Sequence, residues 1–346
     1  MRKVLLGLSV LSLLTASCAR PAQEQAGEGG QGPQTRTVQV DATPREFAAS
    51  ALAYFPDEVR VRPGDTVSFR QVFTGEPHSV TMGTMIDEVI PEARRLGPES
   101  QPSPELERKL EALPVMLPEG PGDANQIAVN PCYLDSGPLP TDATKPCPNV
   151  AQPRFNGRQA YYNSGYLPPE ANFSVTLADD IRPGNYSFYC NLHGPMMSGT
   201  IRVIGRGDSI PSQQEVDRQA RQQIDRVFEP TRRAFEEATT GRAPFPTLAG
   251  YGSQESMNTA INEFIPRTIR TRVGETVTWV VFGPHTISFN PTPDAQPLLT
   301  RAPDNTFHLN EKAVAPAGGP GQPPPPPEEA REEGTAGSPS PAASPT

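Results

Sequence analysis

The sequence predicts an all-β protein built around a β-sandwich, with a long insertion of loops and a helix, a helical connector and a second, partial β module. Short runs of alternating apolar and polar residues are typical of half-buried strands. Two such runs flank a very short loop that begins at Cys190. A segment around Pro266 also repeats features of a segment around Pro56, which indicates an internal repeat.

The first strands are predicted upstream of His78. Alternation at Val59–Val61 and Val67–Phe69, on either side of the turn Pro63–Asp65, predicts a hairpin with one buried face. His78 follows a second turn, Gly75–Pro77. A histidine at the rim of a sandwich, directly after a turn, can point its imidazole into a site beneath a loop.

That site is predicted at the loop after Cys190. An alternating run ends at Cys190 and another begins at Thr200, and His193, Met196 and Met197 lie between them. The pattern predicts strand, tight loop, strand, and so short a loop directs its side chains toward one point. Thiolate and imidazole ligands suit copper, and two His and one Cys with a weak axial Met form the ligand set of blue-copper electron-transfer sites. His78 is the best candidate for the missing histidine.

These residues resemble those of the cupredoxins, the family of plastocyanin, amicyanin and azurin. Phe55–His78 and Gly184–Val203 carry the resemblance. It implies a Greek-key sandwich with one type 1 copper per chain, in which His78, Cys190 and His193 are the equatorial ligands. It also implies that the backbone after His78 donates a hydrogen bond to Cys190. The distance from His78 to Cys190 is much longer than in a minimal cupredoxin, so a large insertion is expected between them.

The axial ligand has two candidates. Met196 gives the Cys-x2-His-x2-Met spacing of amicyanin-like loops, whereas Met197 gives the Met-x-Gly-Thr sequence of azurin-like loops. Met197 is favoured. The resemblance also implies an apolar rim of Leu192, Pro195 and Met196, where a redox protein docks transiently and the electron passes by the outer edge of His193.

The N-terminus predicts export. Arg2 and Lys3 precede a short apolar core, and Cys18 follows small residues as in a bacterial lipobox. Residues 1–18 are therefore interpreted as a lipoprotein signal peptide, with Cys18 lipidated and residues 19–35 forming a disordered tether. The protein is expected at the outer face of the cytoplasmic membrane; ordinary signal cleavage, giving a secreted or periplasmic protein, is the alternative.

Composition and cysteine usage agree with export. With 43 Pro, 29 Gly and 35% hydrophobic residues, globular parts joined by disordered stretches are expected. The net charge of −9 argues against binding to nucleic acid or anionic lipid. Cys132 and Cys147 are predicted to form a disulfide in an oxidising compartment, the alternative being that one of them is a second metal ligand.

The domain boundaries follow from the changes of pattern. A cupredoxin domain is predicted at residues 36–205, with an insertion at about 86–170 that contains a short helix after Ser103. A helical connector (206–245) begins with a capping box at Ser212, and its helix is expected to run from about Gln213 to Phe228, to be kinked or restarted at Pro230, to end at Gly241 and to pack on one domain. A partial second module (246–312) and a disordered, Pro-rich tail (313–346) complete the chain.

The second module repeats the first without its thiolate. Its residues Pro266, Gly274, Trp279 and His285 correspond to Pro56, Gly64, Phe69 and His78. No cysteine follows Cys190, so a second blue-copper site within the chain is excluded. A metal site of His285 and His308 is conceivable, but structural roles for both histidines are favoured.

The predicted function is that of a one-electron carrier, not an enzyme. Copper enzymes need further histidine clusters for a catalytic copper, and the chain has four histidines in all. The alternative is an extracytoplasmic protein that binds or delivers copper without shuttling electrons. The Cys190 thiolate favours the carrier, because copper-handling sites tend to be rich in Met and His without it.

Overall fold

The structure is a computed structural model that describes residues 32–72, 74–96, 100–117, 123–241, 247–253, 256–283, 285–289, 298–310 and 313. Described residues from Pro33 onward belong to one compact unit. The predicted signal peptide with Cys18, most of the tether and nearly all of the tail lie outside these ranges. Among the described helices, none combines the length and the apolar character that crossing a bilayer requires.

Short strands and short helices make up the first module. In chain order it contains β1 (Thr35–Val40), β2 (Ala49–Ala51), β3 (Tyr54–Phe55), β4 (Glu58–Val61), β5 (Thr66–Gln71), β6 (Thr81–Met82), α1 (Thr84–Asp87), α2 (Ile90–Ala93), α3 (Pro104–Glu111), α4 (Gln126–Val129), β7 (Cys132–Leu134), β8 (Tyr161–Asn163), β9 (Asn172–Thr176), β10 (Gly184–Cys190) and β11 (Gly194–Val203). The rest of the chain contains α5 (Gln213–Thr239), β12 (Leu248–Ser253), β13 (Ser256–Ile265), β14 (Val280–Val281), β15 (Leu299–Arg301) and β16 (Phe307–Leu309).

Two sheets enclose the core of the first module. One has the strand order β3-β1-β5-β9, and the other β4-β11-β10-β6-β8-β7. β1 and β5 run parallel, as do β4 and β11, and the remaining pairs are antiparallel. Inward side chains of both sheets form one apolar cluster, which includes Val38, Tyr54, Phe69, Phe188 and Ile201. The predicted β-sandwich is therefore confirmed.

The predicted hairpin between residues 59 and 69 is wrong, although the buried face is correct. Val59 and Val61 alternate with exposed residues in β4, and Val67 and Phe69 are buried in β5. However, β4 pairs with β11 in one sheet and β5 pairs with β1 and β9 in the other. The turn at Gly64 therefore crosses between the sheets, because alternation identifies a buried face and not the strand that pairs with it.

The insertion packs against the outside of the Cys190 strand. Its helix α3 begins as predicted, with Ser103 Oγ accepting a hydrogen bond from Leu106 N at 3.2 Å. The disulfide joins Cys132 and Cys147, as predicted. Ile86, Ile90 and Leu106 form an apolar cluster with Tyr161 of β8 and Tyr189 of β10. The insertion thus buries the face of β10 that the sandwich core leaves uncovered.

The connector is one long helix. Ser212 caps α5 by accepting a hydrogen bond from Glu215 N at 3.2 Å, as the sequence predicts. The helix continues through Pro230 to Thr239, so its predicted end at Gly241 is confirmed, whereas Pro230 does not restart it. Its buried face packs against β1 and β3 as well as β12 and β13, so the expectation that it contacts one domain is wrong. Packing on both sides outweighs the one hydrogen bond that proline cannot make.

The second module repeats the pairing of the first. β12 pairs in parallel with β14 through Leu248↔Val280, as β1 pairs with β5 through Gln39↔Arg70. β12 also pairs antiparallel with β13 through Leu248↔Ile265, as β1 pairs with β3 through Gln39↔Phe55. The predicted repeat therefore extends to strand register.

The two modules share a sheet and a core. β2 of the first module pairs antiparallel with β13 of the second, with Ser50 opposite Ala260. Phe47 and Phe55 pack with Phe228 of α5 and with Leu248 and Ile261 of the second module. The second module thus completes a buried surface of the first.

Candidate metal centre

Cys190 lies where the strand β10 ends. It is fully buried and free, and it faces Gly194, the first residue of β11, across an irregularity in the ladder. Gly194 has a φ of 64°, a left-handed conformation that favours glycine and turns the chain within three residues. The predicted strand, tight loop and strand are thus present, and the thiol is fixed by regular structure on both sides.

Hydrogen bonds of Asn191 anchor the loop between β10 and β11. This residue is buried, and its Nδ2 donates a hydrogen bond to the Tyr161 hydroxyl at 2.8 Å. Its Oδ1 accepts a hydrogen bond from Thr81, and its backbone N–H donates to Ser79 Oγ at 2.9 Å. Because the loop is anchored at its first residue after Cys190, the neighbouring side chains have little freedom.

His78 reaches the same point from a neighbouring segment. Its carbonyl accepts a hydrogen bond from Leu167 N at 2.8 Å, and the following Ser79 carbonyl accepts one from the Tyr54 hydroxyl at 2.6 Å. The imidazole is fully buried, with Nε2 at 3.0 Å from Asp41 Oδ2. Its Nδ1 is buried and has no hydrogen-bond partner among the described residues.

His193 closes the site on the outer side. Its Nδ1 lies 3.5 Å from Cys190 Sγ, and its ring centroid is 4.9 Å from that of His78. The side chain is 11% exposed, and its Nε2 lies 3.9 Å from Glu76 Oε2. Ligand atoms of His78, Cys190 and His193 all lie within 4.8 Å of one another. In the part of the chain that the structure describes, no other group of His, Cys, Asp or Glu has this arrangement.

Hydrogen-bonding groups lie close to the sulfur of Cys190. Ser79 N donates to Sγ at 3.4 Å, which confirms the predicted backbone donor after His78. Burial by itself would raise the pKa of this thiol, but the two imidazoles outweigh it and hold the pKa well below its usual value. Burial would likewise lower the pKa of His78, but Asp41 and Cys190 raise it to about 9. The pocket therefore favours the thiolate, the form that binds metals.

The two methionine candidates differ sharply in environment. Met197 is fully buried and belongs to the same apolar cluster as Cys190. Met196 is 45% exposed and lies outside that cluster. Burial thus favours Met197 as the thioether beside the site. The predicted apolar rim is only partly formed, because Leu192 is half-buried against Leu299 and Phe307 of the C-terminal hairpin.

The remaining histidines take structural positions. His285 packs against Gly250, where an added Cβ would overlap the imidazole ring. His308 bonds to Asp123 through Nδ1 and lies 2.8 Å from Thr306 Oγ1 through Nε2. Among the described residues, neither histidine belongs to a group of three or more His, Cys, Asp or Glu side chains that could hold a metal. Cys132 and Cys147 are bonded to each other, so neither is a metal ligand.

Sequence reasoning did not find Asp41. It is a fully buried carboxylate directly after β1, and it reaches His78 across 37 positions of sequence. The one sequence feature that could have drawn attention to Asp41 is its position as an acidic residue at the end of an alternating apolar run. Its partner could not be identified without the register of β1 against β5.

Several solved structures are similar to about half of this chain. They include auracyanin from the photosynthetic bacterium Roseiflexus castenholzii, with 18% identity, covering 50% of this chain and 98% of that one, at a TM-score of 0.25. Others are auracyanin B (19% identity, 49% and 88% covered, TM-score 0.25) and amicyanin from Paracoccus versutus (10% identity, 49% and 81% covered, TM-score 0.23). No family model and no curated protein matches the sequence. Such low identities and TM-scores support no conclusion about function. The functional argument therefore rests on the side chains of this chain.

The pocket passes a direct test of fit for a soft metal ion. His78 Nδ1 is a buried polar atom with no hydrogen-bond partner among the described residues, and a nitrogen of the same ring lies within 4.8 Å of a thiol whose pKa is held well below its usual value. Buried polar groups in folded proteins are nearly always satisfied, so an orphaned imidazole nitrogen beside a thiolate calls for a ligand. Two imidazoles, one thiolate and a nearby thioether are the donors that copper prefers.

Proposed function

We propose that the protein is a type 1 copper protein that carries single electrons outside the cytoplasmic membrane. The observation that supports this most is the convergence of ligand atoms of His78, Cys190 and His193 within 4.8 Å in a buried pocket. In this proposal these three residues are the equatorial ligands of one copper per chain, and Met197 is the axial ligand. When bound, copper supplies the one-electron redox couple.

The residues around the site favour carrying electrons over storing or releasing the metal. Cys190 is fixed by β10 and β11, His78 by its bonds to Asp41 and Leu167, and the loop by Asn191. Ligands fixed in this way move little when the charge of the site changes, and so electron transfer costs little reorganisation. The pocket is closed, with two ligands fully buried, which keeps water away from the sulfur.

The cellular setting is part of the proposal. The Cys132–Cys147 disulfide is consistent with an oxidising compartment, where such bonds persist. We place the protein at the outer face of the cytoplasmic membrane, held by lipidation of Cys18, and secretion into the periplasm is the alternative. Its partner would be a redox protein that docks transiently near the exposed Met196, and no nucleic acid is involved. In this proposal the protein is an electron carrier and not an enzyme.

A second candidate function is copper binding or delivery without electron shuttling. The exposed thioether of Met196, one residue from the axial candidate Met197, is the observation that favours it, because soft thioether ligands select Cu(I) and a surface methionine could pass it to another protein. The buried thiolate favours the carrier.

The test is a copper titration of the full chain followed by visible spectroscopy. We expect one copper per chain and an intense blue absorption that a mild reductant bleaches reversibly. Cys190→Ser should lose the absorption. His285→Asn changes the corresponding histidine of the second module and should leave it intact. Copper binding without the blue absorption would support the delivery function, and no copper binding at all would refute both.

A further inference from the structure

Asp41 is a buried carboxylate with an unusual set of partners. Its Oδ1 accepts hydrogen bonds from the backbone N–H groups of Ala42 at 2.6 Å and Ala51 at 2.7 Å. Its Oδ2 is bonded to the Thr74 hydroxyl and lies 3.0 Å from His78 Nε2. Asp41 is fully buried and has a φ of 66°, which is uncommon for residues other than glycine. Both carboxylate oxygens are thus held in place, and one of the partners is the candidate ligand His78.

The hydrogen-bond partners of Asp41 determine which ring nitrogen of His78 carries the proton. Backbone N–H groups can only donate, so Oδ1 of Asp41 acts as an acceptor. With Oδ2 also accepting, His78 Nε2 must carry the proton that joins the two side chains. The nitrogen left for a metal, which would displace any proton on it, is then Nδ1, which is buried and has no hydrogen-bond partner among the described residues. A histidine that binds a metal commonly donates its other N–H to such a group, which fixes the ring and makes it a stronger ligand.

The second module gives an internal comparison. Strand register makes Gly250 the counterpart of Asp41, because Val40 and Ala249 precede them and pair with Gln71 and Val281. Both residues have positive φ, 66° for Asp41 and 73° for Gly250. In the second module the histidine ring lies directly against the glycine, in place of a carboxylate. The carboxylate thus occurs in the module that has the thiolate and is absent from the module that lacks it.

We propose that Asp41 is a positioning residue that fixes His78 with Nδ1 toward the copper and biases the site toward Cu(II). Its negative charge, transmitted through the imidazole, stabilises the more highly charged oxidation state. The inference rests on the proposed copper-carrier function and deepens it, because it identifies a residue that sets the preference between the two states.

Asp41→Asn tests the inference directly. Asparagine keeps the shape but removes the charge. Loss of such a partner typically lowers metal affinity by roughly 10–100-fold, and we expect about a tenfold loss for Cu(II) with little change for Cu(I), so that the preference for Cu(II) falls by about tenfold. For a one-electron couple that is a rise in reduction potential of about 59 mV. Pulsed EPR of the Cu(II) protein should also show a changed quadrupole coupling of the remote nitrogen, His78 Nε2.

Thr74→Val provides a variant with the opposite expected sign. It leaves Asp41 in place and removes a competing donor from Oδ2, so the carboxylate bonds more strongly to His78 and the potential should fall. Thr74 is partly exposed, which makes the substitution tolerable for folding. Simple loosening of the structure would not move the two variants in opposite directions.

The matched control is Asp65→Asn. Asp65 is also buried and also accepts backbone hydrogen bonds, from Gln34 and Arg62, both at 2.8 Å. It lies at the other end of β1, which at about 3.3 Å per residue is roughly 20 Å away. We expect the reduction potential and the EPR spectrum of the Asp65→Asn variant to match those of the wild type.

The outcomes separate the two proposals. Suppose that the wild type is blue and that Asp41→Asn and Thr74→Val both keep its reduction potential and its remote-nitrogen coupling. This result would overturn the role of Asp41 and leave the proposed copper function intact. A wild type that binds no copper would overturn both. Should Asp41→Asn fail to fold, the direction of the Thr74→Val shift decides the matter.

Discussion

Asp87 offers a test of how the insertion is attached to the strand that carries Cys190. Its Oδ1 accepts a hydrogen bond from Ser187 N at 2.5 Å, just before the pairing of β10 with β6 begins at Phe188. The carboxylate thus accepts the hydrogen bond that a longer β6 would accept from Ser187 of β10. Burial raises the pKa of Asp87 from its ordinary value of 3.8 to about 6, against the opposing effect of the Ser187 hydrogen bond.

The sign and size of the effect follow from this pKa. Because it is higher in the folded state, the folded protein binds the proton more tightly, and stability falls as the pH rises from about 4 to about 6. A rise from 3.8 to about 6 corresponds to up to about 3 kcal/mol at neutral pH, at about 1.36 kcal/mol per pKa unit. Asp87→Asn keeps the acceptor for Ser187 N and removes the charge. At pH 7 it should therefore be more stable than the wild type by up to that amount.

The assay is urea unfolding of the copper-free chain at a series of pH values. We expect wild type and Asp87→Asn to be similar at pH 4 and to diverge up to pH 6. Asp87→Ala should lose about 1–3 kcal/mol relative to Asp87→Asn, because Ser187 N is left without its acceptor. Asp225→Asn, an exposed carboxylate on α5, is the control and should change stability by less than about 0.5 kcal/mol. The reasoning would be refuted if the difference in free energy of unfolding between the wild type and Asp87→Asn did not change with pH.

Three further predictions concern the ligands, the disulfide and the second core. Met197→Leu should change the blue absorption and raise the reduction potential, whereas Met196→Leu should leave both unchanged; equal effects of the two would contradict the assignment of the buried thioether. The double variant Cys132→Ala/Cys147→Ala should lose about 3 kcal/mol in urea unfolding, as expected for a 15-residue separation, and a stability equal to wild type would count against it. Phe228→Ala should cost about 3–5 kcal/mol in urea unfolding and keep the visible spectrum of the copper-loaded chain, and loss of that spectrum in folded protein would show that the second core supports the site.

The local part of the site was predictable from sequence. Cys190 and His193 are three residues apart, so the turn alone brings them together. His78 could be chosen because it follows a turn after alternating strands and the Cys190 loop needs a second histidine. The positions follow from periodicity and spacing, which are properties of short segments, and the roles of these residues as copper ligands follow from the resemblance to cupredoxins.

The parts that depend on strand pairing were not predictable. Val59 and Val67 were assigned a buried face correctly, yet they lie in different sheets because alternation does not specify a partner. Asp41 meets His78 only through the register of β1 against β5. Pro230 was expected to interrupt α5, and packing against both modules overrides that local preference.

X-ray absorption spectroscopy of the copper-loaded chain in both oxidation states tests the central claim most directly. In the proposed carrier, β10 and β11 fix Cys190, Asp41 and Leu167 fix His78, and Asn191 fixes the loop. The spectra should therefore show one short bond to sulfur, from Cys190, and two nitrogen neighbours, at distances that change little between Cu(II) and Cu(I). Loss of the sulfur neighbour, or a change in the number of ligands on reduction, would contradict the account.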